Sequence, residues 1–181
     1  LTMALTTGLL FTKFSRPTAR VLFADVAVVA PRDGVPHLQF RMGNQRGNQI
    51  VHATIRAALA RSERTAEGEL MRRFHDLQFV RGETMIFALT WTAMHRIDEQ
   101  SPLWGYTQAD LVAGGMEIAV ALVGTDDTLN QTVHARWSYR GGEVLFGRRY
   151  VDILGFDAQG RRTVDYLVFH QTVTIDPAAG A

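Results

Sequence analysis

The 181-residue sequence predicts an all-β fold, an antiparallel β-sandwich with one short helix. Three observations carry that expectation. Hydrophobic residues recur with period two in the best-patterned segments. Turn signals separate those segments at short intervals. The composition is 46% hydrophobic, with ten Phe and three Trp, which suits a packed strand-rich core and not disorder.

In chain order, residues 1–12 carry no charge, and Leu1, Met3, Leu5, Leu9 and Leu10 can form one apolar helical surface. This stretch is shorter than the roughly 20 residues that span a bilayer. It reads either as an N-terminal helix packed on the core (or a tag remnant), or as the last turns of a longer membrane helix. The residues just after it favour the second reading: Lys13, Arg16 and Arg20 arrive before any acidic residue, as at the cytoplasmic end of a membrane span. Pro17 ends the helix and starts an extended linker.

"HLQFRM" sets Leu38, Phe40 and Met42 against His37, Gln39 and Arg41, and predicts a half-buried strand. "VHATIRAALAR" is compatible with a helix through its alanines. Its odd positions Val51, Ala53, Ile55, Ala57 and Leu59, together with flanking turns, favour a strand. "TQADLVAGG" predicts the helix: Thr107 is the N-cap, Asp110 stands at the capping-box position, and Gly114-Gly115 ends it. "TVHARWSY" turns Val133, Ala135, Trp137 and Tyr139 inward, away from Thr132, His134, Arg136 and Ser138. Turns are expected at Asp33-Gly34, Gly43-Asn44, Gly47-Asn48, Glu67-Gly68, Gly141-Gly142 and Gln159-Gly160. "DPAAGA" closes the sequence as an untied tail.

The length suits one domain, or one domain with an appendage. A formal net charge of +1 argues against general nucleic-acid binding. With no cysteine there are no disulfides and no thiolate metal sites. The nucleophile, zinc and phosphate-loop motifs of common enzymes are missing, and the six histidines are not at metal-ligand spacing. His75 and Asp76 are successive strand residues and face opposite sides, so a surface or interface role is expected for His75. His95 and Asp98 come nearer to a catalytic set, yet no nucleophile partners them in the sequence. The chain is therefore not expected to be an enzyme, and no cofactor or metal is expected. It starts at Leu1, so its natural N-terminus is expected upstream, and no targeting peptide is visible.

Five ordered segments carry a resemblance: "FTKFSRPTARVLF", "FRMGNQR" with "IVHATIRAALARSERTAEGE", "HRIDEQSPLWG", "VALVGTDDTLNQTVHARWSY" and "FGRRYVDI". Together they resemble the cytoplasmic part of the inwardly rectifying potassium channel family, most closely its prokaryotic branch. The resemblance implies an immunoglobulin-like sandwich over residues 23–175. Before it come the end of a pore-lining inner helix over residues 1–15 and a basic linker over 16–22; a tail follows over 176–181. It also implies a homotetramer on the cytoplasmic side of the cell inner membrane, with K⁺ passing along the shared axis, and a grouping with voltage-gated channels. The family's outer helix, pore helix and T-V-G-Y-G filter are not within these residues, so the piece is expected to belong to a longer protein.

Single positions carry over as well. Glu69 matches an acidic position lining the cytoplasmic vestibule, where carboxylates attract Mg²⁺ or polyamines that block outward current. Val123 stands where strongly rectifying relatives carry a second acid, which implies weak rectification. Gly124, Thr125, Asp126, Asp127, Thr128, Leu129, Asn130 and Gln131 match a loop that narrows the pore below the membrane; read without the resemblance, they form an ordinary hairpin loop. Lys13, Arg16 and Arg20 match lipid-headgroup contacts. Thr18 and Ala19 replace two lysines of that motif, so contact with membrane phospholipids carries over and activation by phosphoinositides does not. The competing reading is a stand-alone β-sandwich interaction module without ion conduction.

Overall fold

The computed structural model describes residues 20–175. The expected helix end, with Lys13 and Arg16, and the tail over 176–181 lie outside the described residues. From β1 (Val21–Phe23) the chain enters a hairpin of β2 (Ala27–Arg32) and β3 (Val35–Asn44). The long β4 (Ile50–Arg64) returns through β5 (Leu70–Leu77) and β6 (Glu83–Phe87). β7 (Thr90–Arg96) leads to α1 (Gln108–Ala113), and β8 (Glu117–Asp126) and β9 (Gln131–Arg140) make a second long hairpin. The short β10 (Val144–Phe146), β11 (Arg148–Tyr150), β12 (Leu154–Phe156), β13 (Arg162–Val164) and β14 (Thr172–Thr174) come last. β1 begins inside the segment expected as linker.

Two sheets face each other. In the first, β3 pairs with β7 along one edge and with β2 and β1 along the other. β10 joins β2 in parallel, a departure from the all-antiparallel expectation. In the second, the order is β5-β4-β8-β9, with β6 continuing β5's edge of β4. The β4–β8 register shifts between Val51 and Thr54, where His52 takes a φ of 50°, as at a β-bulge. Phe40, Leu38 and Met42 of the first sheet meet Ile55, Leu59, Leu122 and Tyr139 of the second in one buried cluster. Burying each of these side chains stabilises the fold by about 1.5–3 kcal/mol.

Three expectations change. The "HLQFRM" strand is buried on both faces, because the C-terminal segment packs as a third layer over its far side. There the Arg41 guanidinium donates to the carbonyls of Val151 (2.7 Å) and Phe169 (3.3 Å) and lies 4.5 Å from the Tyr150 ring centroid. Gly43-Asn44 is strand, not turn. A Cβ at Gly43 would sit 3.0 Å from the Phe169 ring and 3.1 Å from that of Tyr166, so glycine answers a close approach there. Trp137 is 41% exposed, although it stacks on Phe23 with centroids 6.0 Å apart.

The helix forms as expected. Thr107 Oγ1 accepts from the Asp110 backbone, and the Asp110 carboxylate accepts from the Thr107 backbone. Gly115, at φ 56°, follows its C-cap. Asp33 (φ 50°) and Gly34 (φ 75°) turn the β2–β3 hairpin. No helix among the described residues is long and apolar enough to cross a membrane.

Candidate functional site: one end of the second sheet

Gly124, Thr125 and Asp126 are the last residues of β8, residues 127–130 make the turn, and Gln131 opens β9. The segment read as a loop is thus the tip of a ladder. Register decides what each residue faces. Val123 pairs with Thr54 and His134, and Thr125 with Val51 and Thr132; these point out of the sandwich. Asp126 pairs with buried Ile50 and is itself 1% exposed.

The buried carboxylate organises the tip. Its Oδ1 accepts from the Thr128 and Leu129 backbones, both at 3.0 Å. Its Oδ2 accepts from Arg46 at 3.1 Å and from the Asn48 amide. The Leu129 hydrogen bond, followed by those from Thr128, Asn48 and the Arg46 charge, holds its pKa below the ordinary carboxylate range against the effect of burial. Asp127 is exposed and accepts from the Gln49 backbone at 3.0 Å. Of the two loop carboxylates, one is therefore consumed inside the chain and Asp127 alone faces solvent. A Cβ at Gly124 would meet Ile50 at 2.5 Å and Ala53 at 3.2 Å, so glycine answers a close approach of β4 there.

Arg20, the first described residue, enters at the same end. Its carbonyl accepts from the Gln45 backbone at 3.0 Å. Arg20 joins Arg46, Asp126, Thr128 and Leu129 around a hollow of about 610 Å³. The structure thus brings Arg20 and residues 124–131 together. Glu69 it sets apart: exposed, at the tip of the β4–β5 hairpin, with its backbone N–H donating to Thr65 Oγ1. Ten residues of β4 separate Thr54 from Arg64, about 33 Å at the rise of a strand.

The sequence reading missed two carboxylates. Asp76 pairs with Ala58, and Glu83 with Thr54, so both share the outward face with Val123, and both are exposed. They border a hollow of about 360 Å³ where β5 gives way to β6 along β4, with Arg56 between them. Arg136, two residues from His134, lies across the sheet on the same face. The face is mixed in charge. Strand parity alone placed Asp76 opposite His75, but only the pairing with β4 shows which side looks outward.

His75 and His95 take structural roles. His75 meets Glu63 at 2.7 Å, and Arg61 also donates to that carboxylate. His95 is 3% exposed. Its Nδ1–H donates to the Gln78 carbonyl and its Nε2 accepts from Ser101 Oγ, both at 2.7 Å. Ser101 is the partner the sequence did not reveal, yet both groups are sealed from substrate. Burial, followed by the neighbouring His37 charge and opposed by the Gln78 bond and Asp98, lowers the pKa of His95. Among the described residues no cluster of three or more His, Cys, Asp or Glu could hold a metal.

The geometry defines a β-sandwich domain with an organised hairpin at the end where the chain enters. Residues 21–180 match the family model described as inward rectifier potassium channel C-terminal domain. The chain is 39% identical over 169 residues to the inward rectifier potassium channel Kirbac3.1 of Paramagnetospirillum magnetotacticum, covering 93% of this chain and 57% of that protein. It is 38% identical over 175 residues to the ATP-sensitive inward rectifier potassium channel 12 of Mus musculus, covering 93% and 41%. With the human G protein-activated inward rectifier potassium channel 2 the identity is 36% over 172 residues, covering 91% and 40%. The chain belongs to the inward rectifier potassium channel C-terminal domain family. It spans about half the length, or less, of these curated relatives. The relatives are ion channels, and the chain is not an enzyme. The expected grouping with voltage-gated channels is at odds with an inward-rectifier family and is dropped.

Proposed function

We propose that this chain is the cytoplasmic, pore-extending and regulatory part of a homotetrameric inward-rectifier potassium channel of the cell inner membrane. The observation that carries the reading is the fastening of hairpin 124–131 to the 45–48 loop through Asp126, beside the point where the chain enters at Arg20. Four such ends meet below the membrane around the ion path, with Lys13, Arg16 and Arg20 toward phospholipid headgroups. The outward face of the second sheet lines the path. Ions pass Glu69 at the far mouth, then Asp76 and Glu83, then Val123, and reach the hairpin constriction.

Gating in this scheme is a shift of the hairpin relative to the 45–48 loop, which widens or narrows the axis. Asp127 supplies the charge at the constriction, and Asp126 sets its position. Because Val123 is apolar and Arg56 and Arg136 share the face, the attraction for Mg²⁺ or polyamines is modest and rectification weak. Potassium flux into liposomes carrying the full-length gene product tests the reading, together with the mass of the detergent-solubilised protein. Flux with a tetrameric mass supports it. A monomer without flux supports the stand-alone interaction module instead.

A further inference from the structure

Hairpin 124–131 is held by the 45–48 loop, and that loop is held in turn from the third layer. Tyr166 opens the short 3-10 turn Tyr166–Val168, and its hydroxyl donates to the Asn44 carbonyl at 3.0 Å. The ring is seated before it makes this bond: it stacks on Phe169 with centroids 5.7 Å apart and lies against Gly43, where a Cβ would crowd it. Asp165 caps the turn by accepting from the Leu167 backbone at 2.9 Å. Leu167 itself is 91% exposed, so the turn that carries Tyr166 is open to contact from outside the chain.

Asn44 is 3% exposed, and its amide is fully engaged. Its Nδ2 donates to the carbonyls of Asn48 at 2.8 Å and Phe87 at 3.2 Å, and its Oδ1 accepts from the Arg46 backbone at 3.1 Å. A buried amide with these partners cannot turn without leaving a polar group unpaired. Arg46 and Asn48, the loop residues it holds, are also the two whose side chains donate to Asp126. Asp126 in turn holds the Thr128 and Leu129 backbones. Hydrogen bonds therefore run without a gap from the third layer to the turn of the hairpin, by way of one buried amide.

We propose that Tyr166 is a positioning residue for hairpin 124–131. By fixing Asn44, the third layer sets where the hairpin stands, and a shift of the 166–168 turn loosens residues 45–48 and 127–130 together. The use of this coupling in ion flow rests on the channel reading; the coupling itself does not.

The test is amide hydrogen exchange on the full-length protein. Tyr166→Phe removes one oxygen and keeps the ring on Phe169, so the fold stands. Exchange at residues 45–48 and 127–130 is expected to quicken about 2- to 30-fold, the range that couplings between separated groups span. Tyr106→Phe, which loses a hydroxyl bonded to Arg61, leaves both segments at the wild-type rate. In the Asp126→Asn background, where the last link is already disturbed, Tyr166→Phe speeds residues 127–130 no further. Unchanged exchange at 127–130, equal acceleration in Tyr106→Phe, or additive effects in the double variant overturns the proposal. Potassium flux into liposomes, measured on the same preparations, is expected to differ from wild type in Tyr166→Phe; equal flux overturns the role at the constriction. A wild type without flux defeats the channel reading instead, and the exchange results still decide the coupling.

Discussion

Asp126 faces the core at the very tip of β8, and its partners come from two different segments, residues 46–48 and 128–129. Asp126→Asn keeps an oxygen for the turn N–H groups but sets an amide donor against the Arg46 and Asn48 donors. Chemical denaturation is expected to show a loss of about 1–3 kcal/mol, with faster hydrogen exchange confined to residues 45–48 and 127–130. Since its folded pKa is depressed, the stabilisation from the Asp126 carboxylate is complete above the ordinary carboxylate range near pH 4 and fades as pH falls further. His95 sets a second, higher window. A buried imidazole with a lowered pKa binds its proton less readily folded than unfolded. Its contribution is therefore full above about pH 6.5 and declines as pH falls below that. Melting temperature tracked from pH 8 to pH 5 checks this: His95→Gln should flatten the acid-side decline, and an unaltered decline would refute the assignment.

The elements show what the sequence could and could not disclose. The helix was legible to its caps, because Thr107, Asp110 and Gly115 act locally. β4 was legible by parity from Ala53 to Leu59, whose odd positions reach the core; before the bulge the parity reverses, so Ile50 is buried and Val51, expected inward, points out. β3 was misjudged because its period-two pattern is real on one face only. Nothing in "HLQFRM" announces that Tyr150 and Phe169, more than 100 residues later, cover Arg41 and Gly43. Gly43-Asn44 carries a turn signature for the same reason, its glycine demanded by aromatic rings distant in sequence. Gly43→Ala is expected to cost about 1–3 kcal/mol through overpacking against Phe169 and Tyr166, measured as a lower denaturant midpoint. An unchanged midpoint would mean that the third layer yields freely.

Across the whole molecule, the sandwich has two unlike ends joined by one outward face. One end holds Arg20, the Asp126 hairpin and the 45–48 loop; the other holds Glu69 and an apolar groove at Trp104. The candidate residues were legible as sequence positions. Their separation along β4, and the membership of Asp76 and Glu83 in the same face, depended on pairing register and were not. If that face borders the ion path, a carboxylate at position 123 adds one negative charge per subunit next to Glu83, since both flank Thr54. The most direct measurement is spermine block of outward potassium current in the full-length channel, wild type against Val123→Glu. The account predicts that block tightens on the order of tenfold, and that Ser138→Glu, farther along the face, gives a smaller change. Normal current with an unchanged spermine affinity in Val123→Glu would contradict it.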